Sequence, residues 1–294
     1  MDRSSLNVVG CGRLGQAITK LFVTSNLIER IAVCNRSKAS GERAVAVIGR
    51  GEVCGSIQEM PQSDLWLISC GDQEIGSVAQ QLAETGSLAP QSVVFHCSGI
   101  LTSEVLAPLR DKGVRTASVH PMRSFAHADV AVQEFPGTYC ALEGEGEATR
   151  ILEALFTQLG AYVVTIPHEA KILCHAGHVF ASNYLVALLE CSRRLYVAAG
   201  VPEELAVRMM QPLVQGTLEN ISRLGHVQAL TGPIARGDAV VVARQHADVS
   251  AQEPLLGELY ASLGRIAMEL ARAQGLSPQR CAEVANALGD DARS

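Results

Sequence analysis

The 294-residue chain has no basic block, no Cys-x-x-Cys pair and no apolar run of the roughly 20 residues needed to cross a bilayer. Scattered Lys and Arg with a net charge of −6 leave no electrostatic footprint for nucleic acid. Nine cysteines, odd in number and dispersed, argue against a disulfide framework and for reduced, buried thiols in a cytoplasm. Met1 to Arg3 is followed by Ser-Ser and a strand-like run, which does not read as a signal peptide. No low-complexity stretch occurs, and 48% apolar residues exclude a disordered chain. Several catalytic signatures are also missing. His168-Glu169 is followed by Ala-Lys-Ile, so it is not HExxH, and neither a G-x-S-x-G elbow nor G-x-x-x-x-G-K-[ST] exists. Cys174, His175 and His178 stand close together, but no further local group completes a metal site. The length suits one large domain or two ordinary ones, long enough to bury a core without staples.

What is present begins at residue 6. Leu6-Asn7-Val8-Val9 is a short apolar run, and Gly10-Cys11-Gly12-Arg13-Leu14-Gly15 follows it. Beyond lie Leu14, Ala17, Ile18 and Leu21 at helical spacing. The pattern G-x-G-x-x-G therefore sits between a strand and a helix, the setting of a dinucleotide loop. Gly10 permits the tight turn, Gly12 lets a pyrophosphate approach the backbone, and Gly15 lets helix and strand lie close. The first helical N–H groups then face the anion. A second strand, Arg30 to Cys34, ends in Asn35-Arg36-Ser37 where an NAD-binding chain carries a carboxylate for the ribose. A guanidinium with two small polar neighbours suits a 2′-phosphate instead, which predicts NADP(H).

Strands and helices continue to alternate. Gly51 to Ser56, Leu65 to Ser69, Ser92 to His96 and Arg115 to Val119 read as strands, and Ile75 to Leu82 as a helix. A further strand–helix–strand unit spans Thr138–Leu142, Glu147–Leu159 and Ala161–Ile166. Continuous apolar strands with helical crossovers predict a parallel sheet covered on both faces, with ligands beyond the carboxyl ends of its strands. Ser69, Gly71, Ser98, Gly99 and His120 end those strands and are candidates for the nicotinamide side. His96 reads as a core histidine; His120 suits a turn as well as a substrate contact, and Ser98 could be turn chemistry. Asp129 to Phe135 and the acidic stretch Glu143 to Glu147 read as surface loops.

From about Glu169 the pattern is helix after helix: Lys171 to Ala199, Glu203 to about Leu218, Leu255 to Gln274 and Pro278 to Leu288. The predicted architecture is α/β: a Rossmann domain over residues 1–166, then an all-α domain over 167–294. On the first long helix, Lys171, His175, His178 and Ser182 share one face. Such a stripe on a cleft could donate protons to a substrate oxygen. The alternative is a surface lysine with histidines packed at an interface. Asn183 lies about 120° round an ideal helix from Lys171. Thr231, beside Gly232-Pro233, could reach a substrate, and Asp238 reads as a helix cap.

Taken together, these motifs resemble a known group: Gly10 to Gly15, Asn35-Arg36-Ser37, His96-Cys97-Ser98-Gly99, His120-Pro121 with Ser124-Phe125, Lys171 with His175 and Asn183, and Thr231-Gly232-Pro233 with Arg236-Gly237-Asp238. The group joins a Rossmann-like domain to a helical domain labelled DUF2520. It lies within the superfamily of 6-phosphogluconate dehydrogenase, β-hydroxyacid dehydrogenases and ketopantoate reductases. The resemblance implies an NADPH-dependent reductase of a small 2-oxo acid, 2-dehydropantoate leading. Lys171 and His175 would then act on the oxygen, and Ser98, His120, Asn183 and Thr231 would orient the substrate. His175 stands where the wider group often carries an asparagine. Imine reduction of the pyrroline-5-carboxylate reductase type and a non-catalytic NADP(H) sensor are the alternatives. Amphipathic helices in the second domain predict a homodimer.

Overall fold

Short apolar strands, each trailed by an amphipathic helix, build the first half of the chain. The computed structural model describes residues 4–123, 125 and 127–290, so Met1 to Arg3 and Ser124 lie outside the described residues. Two units are distinguished, Met1–Phe180 and Ala181–Ser294. The first contains β1 (Ser4–Val9), α1 (Arg13–Thr24), β2 (Ile28–Cys34), α2 (Lys38–Ile48), β3 (Glu52–Cys54), β4 (Ser63–Ile68), α3 (Asp72–Ala83), β5 (Leu88–His96), β6 (Arg115–Pro121), α4 (Ala128–Glu134), β7 (Tyr139–Gly144), α5 (Gly146–Gln158), β8 (Tyr162–Thr165) and α6 (Lys171–Ala181).

The strands form one sheet in the order β3-β2-β1-β4-β5-β6-β7-β8. β1 to β6 are parallel, as the apolar runs predict. β7 departs from that expectation and pairs antiparallel with β6. The reason is the link: Met122 N–H donates to Tyr139 O (2.8 Å), so the chain leaves β6 and enters β7 at the same end. That link is not all loop. Residues 128–134 form α4, anchored beside α1 by the Lys20–Asp129 ion pair (2.5 Å).

Alternation along β1 sends Leu6 and Val8 to one core and Val9 to the other. On the first face Phe22 of α1 meets Phe156 of α5 edge-on, ring centroids 5.8 Å apart. On the second, Ile75, Ala79 and Leu82 of α3 cover Trp66, Ile68 and Val94. The strand order reverses between β1 and β4, and the glycine loop leaves β1 at that point.

The second unit holds α7 (Asn183–Ala198), α8 (Glu203–Ala229), α9 (Pro233–Arg236), α10 (Ala239–Gln252), α11 (Pro254–Ala273) and α12 (Pro278–Ala287). The single long helix expected from Lys171 to Ala199 is two helices, broken at Ser182 (φ −122°, ψ −74°). α8 continues past Leu218 and kinks at Gly225, whose φ of +76° only glycine adopts readily. Val242, Met268, Val284 and Leu288 from α10, α11 and α12 form a small core. Asp238 caps α10 by accepting from Val241 N–H at 3.3 Å.

The exclusion of a bilayer-length stretch needs correcting. His168–Ala198 is long and apolar enough by length and composition, with a mean hydropathy of 1.5 over 18 residues. At its start, however, Lys171 is held inside the sheet unit by an ion pair to Glu143 on β7. A spanning helix could not keep that contact.

Candidate functional site

The glycine loop is shaped by its neighbours. Gly10 has φ +76°, and a Cβ there would meet Cys70 backbone atoms at 2.7 Å. A Cβ on Gly15 would meet Ser69 Oγ at 2.3 Å, whereas one on Gly12 would meet nothing within 4 Å. The loop is thus tight on its protein side and open where a pyrophosphate would lie. No side chain caps the start of α1, so its first N–H groups remain for an anion. Asn35 Oδ1 accepts from Cys11 N–H (2.6 Å), tying the end of β2 to the loop. Cys11 contributes backbone only: its side chain is in the core, and burial pushes the thiol up to about 12.

Two cavities flank the loop. One, of about 430 Å³, is lined by Gly12, Arg13, Asn35, Arg36 and Arg43 among others. The second, of about 320 Å³, runs between Asn35, Arg36, Ile57 and Val78. Arg13, Arg36 and Arg43 form no ion pair among the described residues, and Glu74 of α3 is the acidic residue on both walls. The residues fit a dinucleotide with an extra phosphate. Arg43 was missed from sequence, although Ser37, Ser40 and Arg43 recur at steps of three along α2. Ser37 serves the fold itself, since its Oγ accepts from Ser40 N–H (3.3 Å) as the cap of α2.

At the ends of β4 and β5 lies a chamber of about 100 Å³, walled by Leu14, Ile68, Ser69, Asp72, Cys97 and Ser98. Ser69 Oγ donates to Gly10 O (3.1 Å), and Gly71 precedes the first turn of α3. Ser98 Oγ donates to Asp72 Oδ2 (2.9 Å) and accepts from Ile100 and Leu101 N–H groups. Next to it Gly99 faces α6, where a Cβ would meet His175 Cδ2 at 2.2 Å and His120 Cε1 at 3.0 Å. Three imidazoles gather here. His120 lies 5.6 Å from His175 and 5.9 Å from His178 between ring centroids. Burial pushes His120 down to about 4, aided by the neighbouring histidines and Lys171. Its Nδ1 is 3.3 Å from Cys97 O, and its Nε2 is buried with no partner among the described residues. No three-residue group poised for a metal ion occurs among the described residues.

Lys171 is elsewhere than the shared helix face suggests. It and Glu143 are each 2% exposed, and Nζ donates to Glu143 Oε1 at 3.2 Å and to Ser118 Oγ. Burial lowers the Lys171 pKa, opposed by the Glu143 carboxylate. Ser103 adds its N–H and Oγ to Glu143, each at 2.8 Å. A lysine can lie in a core when a carboxylate is buried with it. Glu143, read from sequence as a surface acid, is that carboxylate; only its burial distinguishes it from Glu145 and Glu147. His96 is fully buried behind the site, with Nε2 3.2 Å from Thr102 O and Nδ1 accepting from Ser98 N–H. Asn183 and Thr231 belong to the second unit, exposed at the start of α7 and in the turn before α9. A larger cavity, about 510 Å³, is lined by Asp64, Gln91, Arg115 and Arg150 at the amino ends of the strands, away from the glycine loop.

A doubly wound sheet with a glycine loop at its switch point and a helical unit after it defines a dinucleotide-binding architecture. Residues 1–121 match the family model of a Rossmann-like domain, and residues 138–267 match that of the domain of unknown function DUF2520. The chain thus carries a Rossmann-like domain followed by a DUF2520 domain. Its fold is similar to protein TM1727 from Thermotoga maritima, 27% identical, with a TM-score of 0.73 over 92% of this chain and 100% of that one. It is also similar to a pyrroline-5-carboxylate reductase from Coxiella burnetii: 15% identity, TM-score 0.60, 92% and 99% coverage. A reductive aminase from Aspergillus terreus, in complex with NADPH and ethyl-5-oxohexanoate, gives 15%, 0.59, 98% and 93%. No curated protein matches the chain.

Proposed function

We propose that this protein is an NADP(H)-dependent oxidoreductase that reduces a polarised double bond in a small molecule. The observation that carries the reading is the open face of Gly12 beside Arg13, Arg36 and Arg43. The pyrroline-5-carboxylate reductase and the NADPH-bound reductive aminase of the same fold support it. Arg36 and Arg43 would hold the 2′-phosphate, and the uncapped start of α1 the pyrophosphate. The bound coenzyme supplies a hydride. This chain's own part is to hold the ring end of the dinucleotide at Ser69, to wall it with Leu14, Ile68 and Cys97, and to place His120, His175 and His178 alongside.

The resemblance to ketopantoate reductases favours a 2-oxo acid, with Lys171 as the proton source. For that step Lys171 would have to leave both Glu143 and Ser118. A second copy of the chain is proposed as partner, since Leu173 (73% exposed) on α6 and Val186 (69%) on α7 leave large apolar areas in water. The free state of all nine cysteines accords with a reducing cytoplasm as the location. The test is calorimetry with both coenzymes followed by a carbonyl and imine panel. NADPH is expected to bind at least about tenfold more tightly than NADH, and Arg36→Ala or Arg43→Ala to remove that preference. Equal binding sinks the NADP reading, and tight binding without turnover on any compound favours a sensor.

A further inference from the structure

We infer that His96 is a positioning residue for the reduction: from inside the core it fixes the 97–102 loop, which stands between the coenzyme chamber and the imidazoles of α6. The inference rests on the reductase reading and adds a residue to it.

An imidazole at the end of an apolar strand calls for a reason. β5 runs Val93-Val94-Phe95 into His96, and all four are buried. Burying a ring with two polar nitrogens costs free energy unless both are matched. Both are matched here, chiefly by one loop. Nε2 lies 3.2 Å from Thr102 O, and a carbonyl only accepts, so Nε2 carries the proton. Nδ1 is then a lone pair, and it accepts from Ser98 N–H at 3.2 Å and Ser118 Oγ at 3.4 Å. The ring is neutral above about pH 3. It thus grips the loop at residue 98 and again at residue 102. Between those points Ser98 Oγ collects the N–H groups of Ile100 (3.2 Å) and Leu101 (3.0 Å). Side chains supply here the partners that a strand or helix supplies elsewhere.

The loop so held shapes the site on both of its sides. Cys97 and Ser98 are walls of the chamber at the ends of β4 and β5. Gly99 lies so close to α6 that a Cβ would meet His175 Cδ2 at 2.2 Å. Cys97 O holds His120 Nδ1 at 3.3 Å. A displacement of this loop therefore moves the chamber wall, the His120 ring and the clearance to His175 together. A misplacement of about 1 Å at a reacting centre costs on the order of 100-fold in rate.

Lys171 completes the line from behind. An ammonium only donates, so Ser118 Oγ accepts from Nζ and turns its own proton to Nδ1. This line orients and does not deliver a proton. A proton passed to Nδ1 would have to leave from Nε2 to Thr102 O, a carbonyl that does not take one up. Along it Lys171 acts on the loop by position alone.

The test compares His96→Asn with His96→Gln in the full-length protein. The shorter amide can stand in the place of Nδ1 and keep an acceptor for Ser98 and Ser118. The longer one reaches the place of Nε2 and keeps the donor to Thr102. Both bury one amide in the same space, so a role confined to filling the core predicts equal behaviour. In His96→Gln, amide exchange of residues 98–101, read by mass spectrometry, is expected to quicken at least about tenfold with 93–96 unchanged. NADPH affinity by calorimetry should stay within about twofold. Emission of the bound reduced nicotinamide should move toward that of free NADPH. kcat on whichever carbonyl or imine the wild type reduces should fall at least about tenfold while KM for NADPH holds. Where the wild type reduces none, exchange and emission decide. His96→Asn should stay near the wild type in every reading. Equal effects of the two variants, exchange quickened all along β5, loss of the fold in His96→Gln, or a loosened loop with emission and kcat unchanged overturns the inference and leaves the reductase reading standing. Failure of the wild type to take up NADPH overturns that reading first, and the inference with it.

Discussion

Lys171 and Glu143 show what a single buried pair does to an assignment made from residue types. Removing one partner leaves the other charged in the interior, which costs about 3–5 kcal/mol, whereas replacing both by apolar groups of similar volume is close to neutral. Lys171→Met is therefore expected to lower stability by about that amount, and Lys171→Met with Glu143→Leu to restore most of it. Urea unfolding of the three proteins checks this; a double variant no better than the single one would show that the pair does not act as a unit. His96 makes a second residue-scale prediction. Burial holds it at about 3 in the fold, well below an ordinary histidine. Between pH 6.5 and about 3 the unfolded chain binds the proton and the folded chain does not, so stability falls as pH falls through that window. By pH 4 the loss attributable to His96 is on the order of 3 kcal/mol. His120, at about 4, adds to it in the same direction. Denaturation midpoints from pH 8 to pH 4 should decline less steeply in His96→Gln than in the wild type.

At the scale of elements, the decisive contact is between the end of β5 and the flank of α6. Gly99 has no side chain, and His175 occupies the space that one would fill. Gly99→Ala drives a methyl to within 2.2 Å of that ring, so the ring or the helix must yield. Overpacking of this kind costs about 1–3 kcal/mol. The predicted signature is lost turnover with coenzyme affinity retained, because α6 and the glycine loop attach to different parts of the sheet. Parallel loss of NADPH binding would contradict it. The buried pair holds the other end of α6: Lys171 is one helical turn before His175, so β7 and β6 anchor the helix whose next turn carries the imidazoles. β7 runs against β6 because the chain re-enters the sheet at the end it left. Nothing in the apolar runs themselves marks that reversal.

For the whole molecule, α7 buries none of its residues within its own chain, and large aliphatic side chains line its surface. Ordinary monomers do not leave such areas in water. Light scattering is expected to return twice the 31.2 kDa chain mass, and Leu173→Glu with Val186→Glu to shift it toward the monomer. A monomer at micromolar concentration would refute the proposed homodimer.

Period and punctuation in the chain were sufficient for the Rossmann strands, the glycine loop at a strand–helix junction and the basic residue at the end of β2. These depend on neighbours within a few residues: an apolar run stops at glycine, and a helix follows at 3.6 spacing. The same local signals implied a continuous helix across Ser182 and a surface position for Glu143, and both were wrong. Burial and pairing depend on residues far apart in sequence. Glu143 and Lys171 are 28 positions apart, Ser98 and Asp72 are 26 apart, and Arg36 meets Arg43 only by way of a cavity wall. The coenzyme half was legible because its geometry is made by one turn. The pairing of Lys171 with Glu143 was decided by tertiary structure, because burial of both charges depends on strands and a helix that meet only in the fold.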